Sequence, residues 1–129
     1  DGRDVSIVAC GVEVARALDA AELLAQEGIS ARVVNMSTIK PIDSDLIAEC
    51  VRKTGAIVTA EDHNIFGGLG GAVAETASMC APCPIEFIGV RDVFGESGSP
   101  EELATKYELT GPFIAEAARR VISRKTVLV

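Results

Sequence analysis

The chain has 129 residues, 48% of them hydrophobic, with no tryptophan, one tyrosine, four phenylalanines and a net charge of −7. Its core must therefore be aliphatic, and nonspecific binding to nucleic acid, which needs clustered Lys and Arg, is excluded as a function class. No apolar run approaches the roughly 18 residues of a membrane span, and Asp1-Gly2-Arg3-Asp4 lacks the basic and apolar regions of a secretory leader, so no membrane association and a cytoplasmic location are expected.

Strand-like and helix-like segments alternate along the chain. Val5 to Cys10 reads as a buried strand, and Val12 to Glu27 as a helix with Val14, Leu18, Ala21, Leu24 and Ala25 at helical spacing, ended by Gly28. Ala31 to Met36 is a second strand. Asp43 or Ser44 can cap the next helix, whose apolar face includes Leu46, Ile47, Cys50 and Val51 and which Gly55 stops. Ala56 to Ala60 is a third strand, leading through a glycine-rich turn to a helix that runs from after Gly71 to Pro82. Ile85 to Val90 is the fourth strand, and Arg91 to Gly98 is a polar loop. Ser99-Pro100-Glu101-Glu102 forms a capping box that opens a short helix to about Tyr107, and Thr110 caps a last helix through Arg124.

Four apolar strands joined by helical crossovers specify a three-layer, doubly wound α/β domain over residues 1–129, with a mainly parallel sheet of four to five strands. The expected spatial order is second, first, third, fourth. The first and third strands then form a topological switch point, where open α/β sheets place their contacts. That brings the Gly11–Glu13 turn, with Gly11 and Glu13 as candidates, towards Glu61, Asp62, His63 and Asn64 at the end of the third strand. A carboxylate beside an imidazole suits acid–base chemistry, but successive strand residues point to opposite faces, so contact with a neighbouring domain is the preferred reading. Gly67, Gly68, Gly70 and Gly71 make a candidate anion-binding turn at a helix N-terminus, weighed against close helix–strand packing that glycine permits. Neither a dinucleotide fingerprint nor a P-loop is present.

Four cysteines occur. Cys10, Cys50 and Cys80 lie in apolar surroundings and read as packed thiols. Cys80-Ala81-Pro82-Cys83 has CxxC spacing but closes a helix, whereas a redox pair opens one; no second pair completes a zinc site.

Three separated motifs carry a resemblance over nearly the whole chain: Met36-Ser37-Thr38-Ile39-Lys40-Pro41-Ile42-Asp43, the run Val58 to Glu75, and Phe94-Gly95-Glu96-Ser97-Gly98-Ser99-Pro100-Glu101-Glu102-Leu103. They resemble the C-terminal domain of transketolases, and most of all the C-terminal subunit of the split, two-subunit type. The same domain occurs in deoxyxylulose-phosphate synthase and in beta subunits of 2-oxoacid dehydrogenases, and these are the alternatives, with an autonomous anion-binding module as a third. The resemblance implies an enzyme that transfers two-carbon ketol units between sugar phosphates, using thiamine diphosphate and Mg²⁺ held between two other domains. Gly-Asp-Gly, the family's diphosphate and Mg²⁺ anchor, occurs nowhere in this chain, and Glu61 and Glu75 lie in motifs other than that of the activating glutamate. No catalytic, cofactor-binding or metal residue is therefore carried over. The implied partners are the remaining transketolase domains or the N-terminal subunit, in a homo-oligomeric complete enzyme, and the isolated chain is expected to be inert. The family's antiparallel edge strand is expected from sequence before Asp1; without it Ala31 to Met36 is an exposed edge, unless Lys125 to Val129 covers one.

Overall fold

Alternate residues of the first strand enter opposite hydrophobic layers, and that alternation organises the domain. The computed structural model describes residues 2–36, 43–64, 68–80, 82–90, 100–106 and 108–125. Its strands are β1 (Val5–Ala9), β2 (Ala31–Asn35), β3 (Ile57–Asn64) and β4 (Ile85–Val90), and its helices are α1 (Glu13–Ala25), α2 (Ser44–Thr54), α3 (Leu69–Cys80), α4 (Pro100–Lys106) and α5 (Gly111–Lys125). The strands lie in the order β2-β1-β3-β4, and every pairing is parallel. The expected topology is thus the observed one.

Val5, Ile7 and Ala9 of β1 join Val58 and Ala60 of β3 beneath Ala17, Ala20 and Leu24 of α1 and Ile114, Ala117, Ala118 and Val121 of α5. Val8 of β1, Val34 of β2 and Ile57 of β3 face the other way, onto Ile47 and Cys50 of α2 and Leu69, Val73 and Ala77 of α3. Helices therefore cover both faces, and the layers are held by aliphatic side chains. The five- and six-residue strands fit a sheet buried on both sides, which needs apolar residues at nearly every position.

Local signals set the helix ends. Of the two candidate caps for α2, Asp43 does the capping, its Oδ1 accepting from the Leu46 amide at 3.0 Å. Gly55, at φ 67, ends α2 in the left-handed region that glycine occupies without strain. The Thr110 carbonyl accepts from the amides of Phe113 and Ile114 and starts α5. Ser99 of the expected capping box, the 91–98 loop, and residues 37–42 of the first motif lie outside the described residues. At the β2 edge, Gly2 is buried against the backbone of Ala31 and Arg32, where any Cβ would collide.

Of the segment Lys125 to Val129 expected to cover an edge, residues 126–129 lie outside the described residues. Lys125 stands at the end of α5, and its Nζ donates to the carbonyls of Asp4 at 2.7 Å and Thr54 at 2.6 Å. Beside it, Thr54 Oγ1 donates to Cys50 O at 2.8 Å and lies 2.8 Å from the Ser6 hydroxyl. One ammonium thus joins the start of β1, the end of α2 and the end of α5. Lys125→Met keeps the stem but leaves both carbonyls without their charged donor, so unfolding in denaturant should show a loss of about 2 kcal/mol.

Candidate functional site

β1 and β3 are neighbours, yet α1 leaves towards the α5 layer and α3 towards the α2 layer. Their carboxyl ends are therefore the switch point of the sheet. The Cys10 amide donates to the Ala60 carbonyl at 3.3 Å, which carries the β1 pairing one residue past the strand and sets the following turn level with Glu61. Gly11, at φ 61, makes that turn in the left-handed region. α1 begins without a side-chain cap and has Glu13 in its first turn, where a carboxylate complements the helix dipole.

The third strand runs to Asn64, four residues beyond the apolar run that the sequence marks as strand. Alternation then separates the two acids. Glu61 shares the inward parity of Ile57 and Thr59 and is 0% exposed, whereas Asp62 is exposed. The Glu61 carboxylate accepts from the Leu69 amide at 2.8 Å through Oε1 and from the Gly70 amide at 2.7 Å through Oε2. A side chain from the preceding strand thus satisfies the first two amides of α3, which helix termini otherwise leave open. It also explains why α3 starts at Leu69 rather than after Gly71.

Within the candidate anion-binding turn, this geometry bears on Gly70. The Gly70 amide already holds the chain's own carboxylate. A Cβ on Gly70 would come within 2.7 Å of Phe87 Cδ1 and 3.1 Å of Thr59 Oγ1, so this glycine serves close helix–strand packing. Gly68 accepts from the Ala72 amide, a Cβ on Gly71 would meet open space, and Gly67 lies outside the described residues.

Glu13 is the second buried acid, at 0% exposure. Its Oε1 accepts from Arg16 Nη1 at 2.5 Å, one helical turn away, while its Oε2 is buried with no hydrogen-bond partner among the described residues. Burial pushes the Glu13 carboxyl up; Asp62 adds to this, and the Arg16 hydrogen bond and charge oppose it. The Cys10 thiol is also pushed up, by burial first and then by Glu61, Glu13 and Asp62. That is the reverse of nucleophile activation.

Of the residues that the sequence nominates, the structure gathers Gly11, Glu13, Glu61 and Asp62 at one end of the sheet. His63 and Asn64 lie on β3, and their side chains lie outside the described residues. Sequence reasoning missed Cys10 and Arg16 as members of this site and missed the capping role of Glu61. Strand parity was the available signal: Ile57, Thr59 and Glu61 must face the same way. Of the CxxC pair, Cys80 ends α3 and Cys83 is a free, half-buried thiol pushed up by burial. What the site offers is negative charge and one unused acceptor. A phosphate would meet like charge there.

Comparison with known proteins agrees with this architecture. Residues 1–114 match the family described as transketolase, C-terminal domain. The chain is similar to the 6-deoxy-6-sulfo-D-fructose transketolase subunit of Clostridium sp. strain MSTE9, at 47% identity over 97% of this chain and 39% of the relative. It is also similar to the 1-deoxy-D-xylulose-5-phosphate synthase of Heliobacterium modesticaldum, at 43% identity over 93% of this chain and 19% of the relative. A solved structure described as a split gene transketolase, inactive beta4 tetramer, superposes with a TM-score of 0.94 at 50% identity, covering 97% of this chain and 41% of that one. The chain thus spans about two fifths of the transketolase relatives and about a fifth of the synthase.

Two variants test the roles of the buried acids. Glu61→Ala removes the acceptor from two buried amides and should lower unfolding stability by about 3 kcal/mol, the scale of charged hydrogen bonds at a helix start. For Glu13, a carboxyl pushed above its ordinary range by burial means that the folded chain holds this proton more tightly than the unfolded chain. The associated stabilisation is present at low pH and is lost as pH rises from the unfolded value through the folded one. Glu13→Gln cannot ionise, so its melting temperature should gain on that of the parent chain as pH rises through this window, and a constant difference would refute the assignment.

Proposed function

The chain belongs to the transketolase C-terminal domain family, and from that premise we propose that it is the C-terminal part of a thiamine diphosphate-dependent transketolase. The complete enzyme moves two-carbon ketol units between sugar phosphates. This domain contributes assembly, not chemistry, and is inert alone. The observation that carries the reading is the character of the switch point: it holds two buried acids and a neutral thiol, and the two amides that open α3 are already filled by Glu61. These residues do not fit a diphosphate, so no step of the reaction is assigned to them. The solved relative at TM-score 0.94 is described as inactive, which supports placing the chemistry in other parts of the enzyme.

The proposed partners are the remaining transketolase domains, with the N-terminal subunit, in a cytoplasmic homo-oligomer that serves pentose phosphate interconversion. Among the described residues no helix is long and apolar enough to cross a membrane. Gly11, Glu13, Glu61, Asp62, His63 and Asn64 are assigned to contact with a neighbouring domain or subunit. The synthase relative at 43% identity supports a second reading, in which the same domain closes a deoxyxylulose-phosphate synthase.

Substrates separate the two. The complete enzyme should transfer a ketol unit from xylulose 5-phosphate to an aldose phosphate, and condensation of pyruvate with glyceraldehyde 3-phosphate instead would establish the synthase. Titration calorimetry of this chain with thiamine diphosphate and Mg²⁺ should show no saturable binding. Micromolar affinity, about −8 kcal/mol, would overturn the division of labour.

A further inference from the structure

The first helix carries apolar side chains on two sides. Ala17, Ala20 and Leu24 face the sheet and are 0% exposed. Val12, Ala15 and Leu18 are exposed, and their three-residue spacing stacks them into a ridge along the first turns of α1. Val12 belongs to the ridge because its backbone, just ahead of the helix, is already right-handed helical. The half-buried Ala21 and the exposed Ala25 carry the ridge on to the helix end. An exposed leucine is ordinary by itself. Among the described residues, however, the exposed large hydrophobics are Val12 at 58%, Leu18 at 56% and Met79 at 83%, and two of these three share the ridge. A helix that is apolar on opposite sides is suited to being covered on both.

The polar groups beside the ridge carry one sign and fix the chemistry of its cover. Asp19 and Glu22 are exposed on its flank, and Asp62 is exposed at its head, near Cys10 and Glu13. The one basic residue of α1, Arg16, is bonded to Glu13. A complementary surface is therefore an apolar stripe edged by Lys or Arg. A second copy of this chain does not supply one. Two α1 ridges laid together bring acids with no cation to answer them, and the exposed arginines of α5 are held in ion pairs by Glu27, Glu86 and Glu116.

We propose that the Val12–Ala15–Leu18 ridge of α1 docks an amphipathic helix of a neighbouring, different subunit of the complete enzyme, with Lys or Arg side chains set against Asp19 and Glu22. The ridge starts at the Gly11–Val12 turn, so it continues the contact assigned above to the carboxyl ends of β1 and β3. The inference rests on that reading and names the kind of partner the contact takes.

The test is subunit dissociation of the complete two-chain enzyme, measured against salt for the parent, Leu18→Ser and Glu22→Lys. Leu18→Ser should raise the dissociation constant about tenfold or more at every salt concentration, as loss of a central apolar contact does. Glu22→Lys should raise it about threefold or more at low salt and approach the parent at high salt, where exposed charges are screened. A folded Leu18→Ser enzyme that dissociates like the parent overturns the proposal, and so does a Glu22→Lys enzyme with no salt-dependent loss. Melting of the subunit that carries this chain, followed apart from its partner, separates a third case: Leu18→Ser that lowers this melting temperature but leaves dissociation unchanged shows a ridge covered by its own polypeptide, which also overturns the proposal. Should Leu18→Ser fail to fold, Glu22→Lys decides alone. Turnover of the parent is read in parallel: an assembly that forms but transfers no ketol unit overturns the functional reading, while the docking ridge stands or falls on dissociation.

Discussion

Much of the domain is arranged around one carboxylate and two amides. The Glu61 side chain reaches the Leu69 and Gly70 amides at 2.8 and 2.7 Å, and three otherwise separate features follow from that contact. β3 has to continue past its apolar run so that Glu61 keeps the inward parity of Ile57 and Thr59. α3 has to begin among the glycines, because its first donors are the ones the carboxylate holds. Gly70 has to lack a side chain, because holding its amide so close to the strand puts its Cα against Phe87 and Thr59. A buried charge is tolerable here because both of its oxygens are filled, and the positive end of α3 faces it.

The layered architecture was legible because it depends on local pattern. Alternating aliphatic residues such as Ile7 and Val8 announce a strand buried on both faces, but the apolar face expected of the first helix is rotated: of Val14, Leu18, Ala21, Leu24 and Ala25 only Leu24 is fully buried, Leu18 is 56% exposed and Ala25 is exposed, and Ala17 and Ala20 face the sheet instead. Strand order followed from right-handed crossovers and the need for helices on both sides. The site was only half legible. Gly11, Glu13, Glu61 and Asp62 were nominated by their position at strand ends, but their roles depend on partners that composition does not mark. Glu61 is polar and was read with Asp62 and His63 as one cluster, although its partners are backbone groups eight and nine residues on, in another layer. The burial of Glu13 is equally illegible: a glutamate in a first helical turn is ordinarily solvated, whereas this one is 0% exposed.

Family membership and site chemistry address different levels of function. The same fold and much of the same sequence serve a sulfosugar transketolase subunit and a deoxyxylulose-phosphate synthase, which act on different substrates. Residues common to both cannot encode which sugar is handled. What such a domain can encode is how it holds itself together and what it holds on to. The two buried acids differ in this respect, Glu61 being bonded through both oxygens to the start of α3 and Glu13 through one oxygen to Arg16.

The Lys125 ammonium has a consequence for how such a domain is wired into longer polypeptides. By gripping the carbonyls of Asp4 and Thr54, it pins the head of the first strand to the tail of the last helix at the amino ends of the strands, opposite the pole where β1 and β3 terminate. The described chain therefore enters the first strand and leaves the last helix at one pole of the sheet. A unit wired in this way behaves as a cassette: it can be carried by chains of very different lengths, as relatives of which it fills 39% and 19% illustrate.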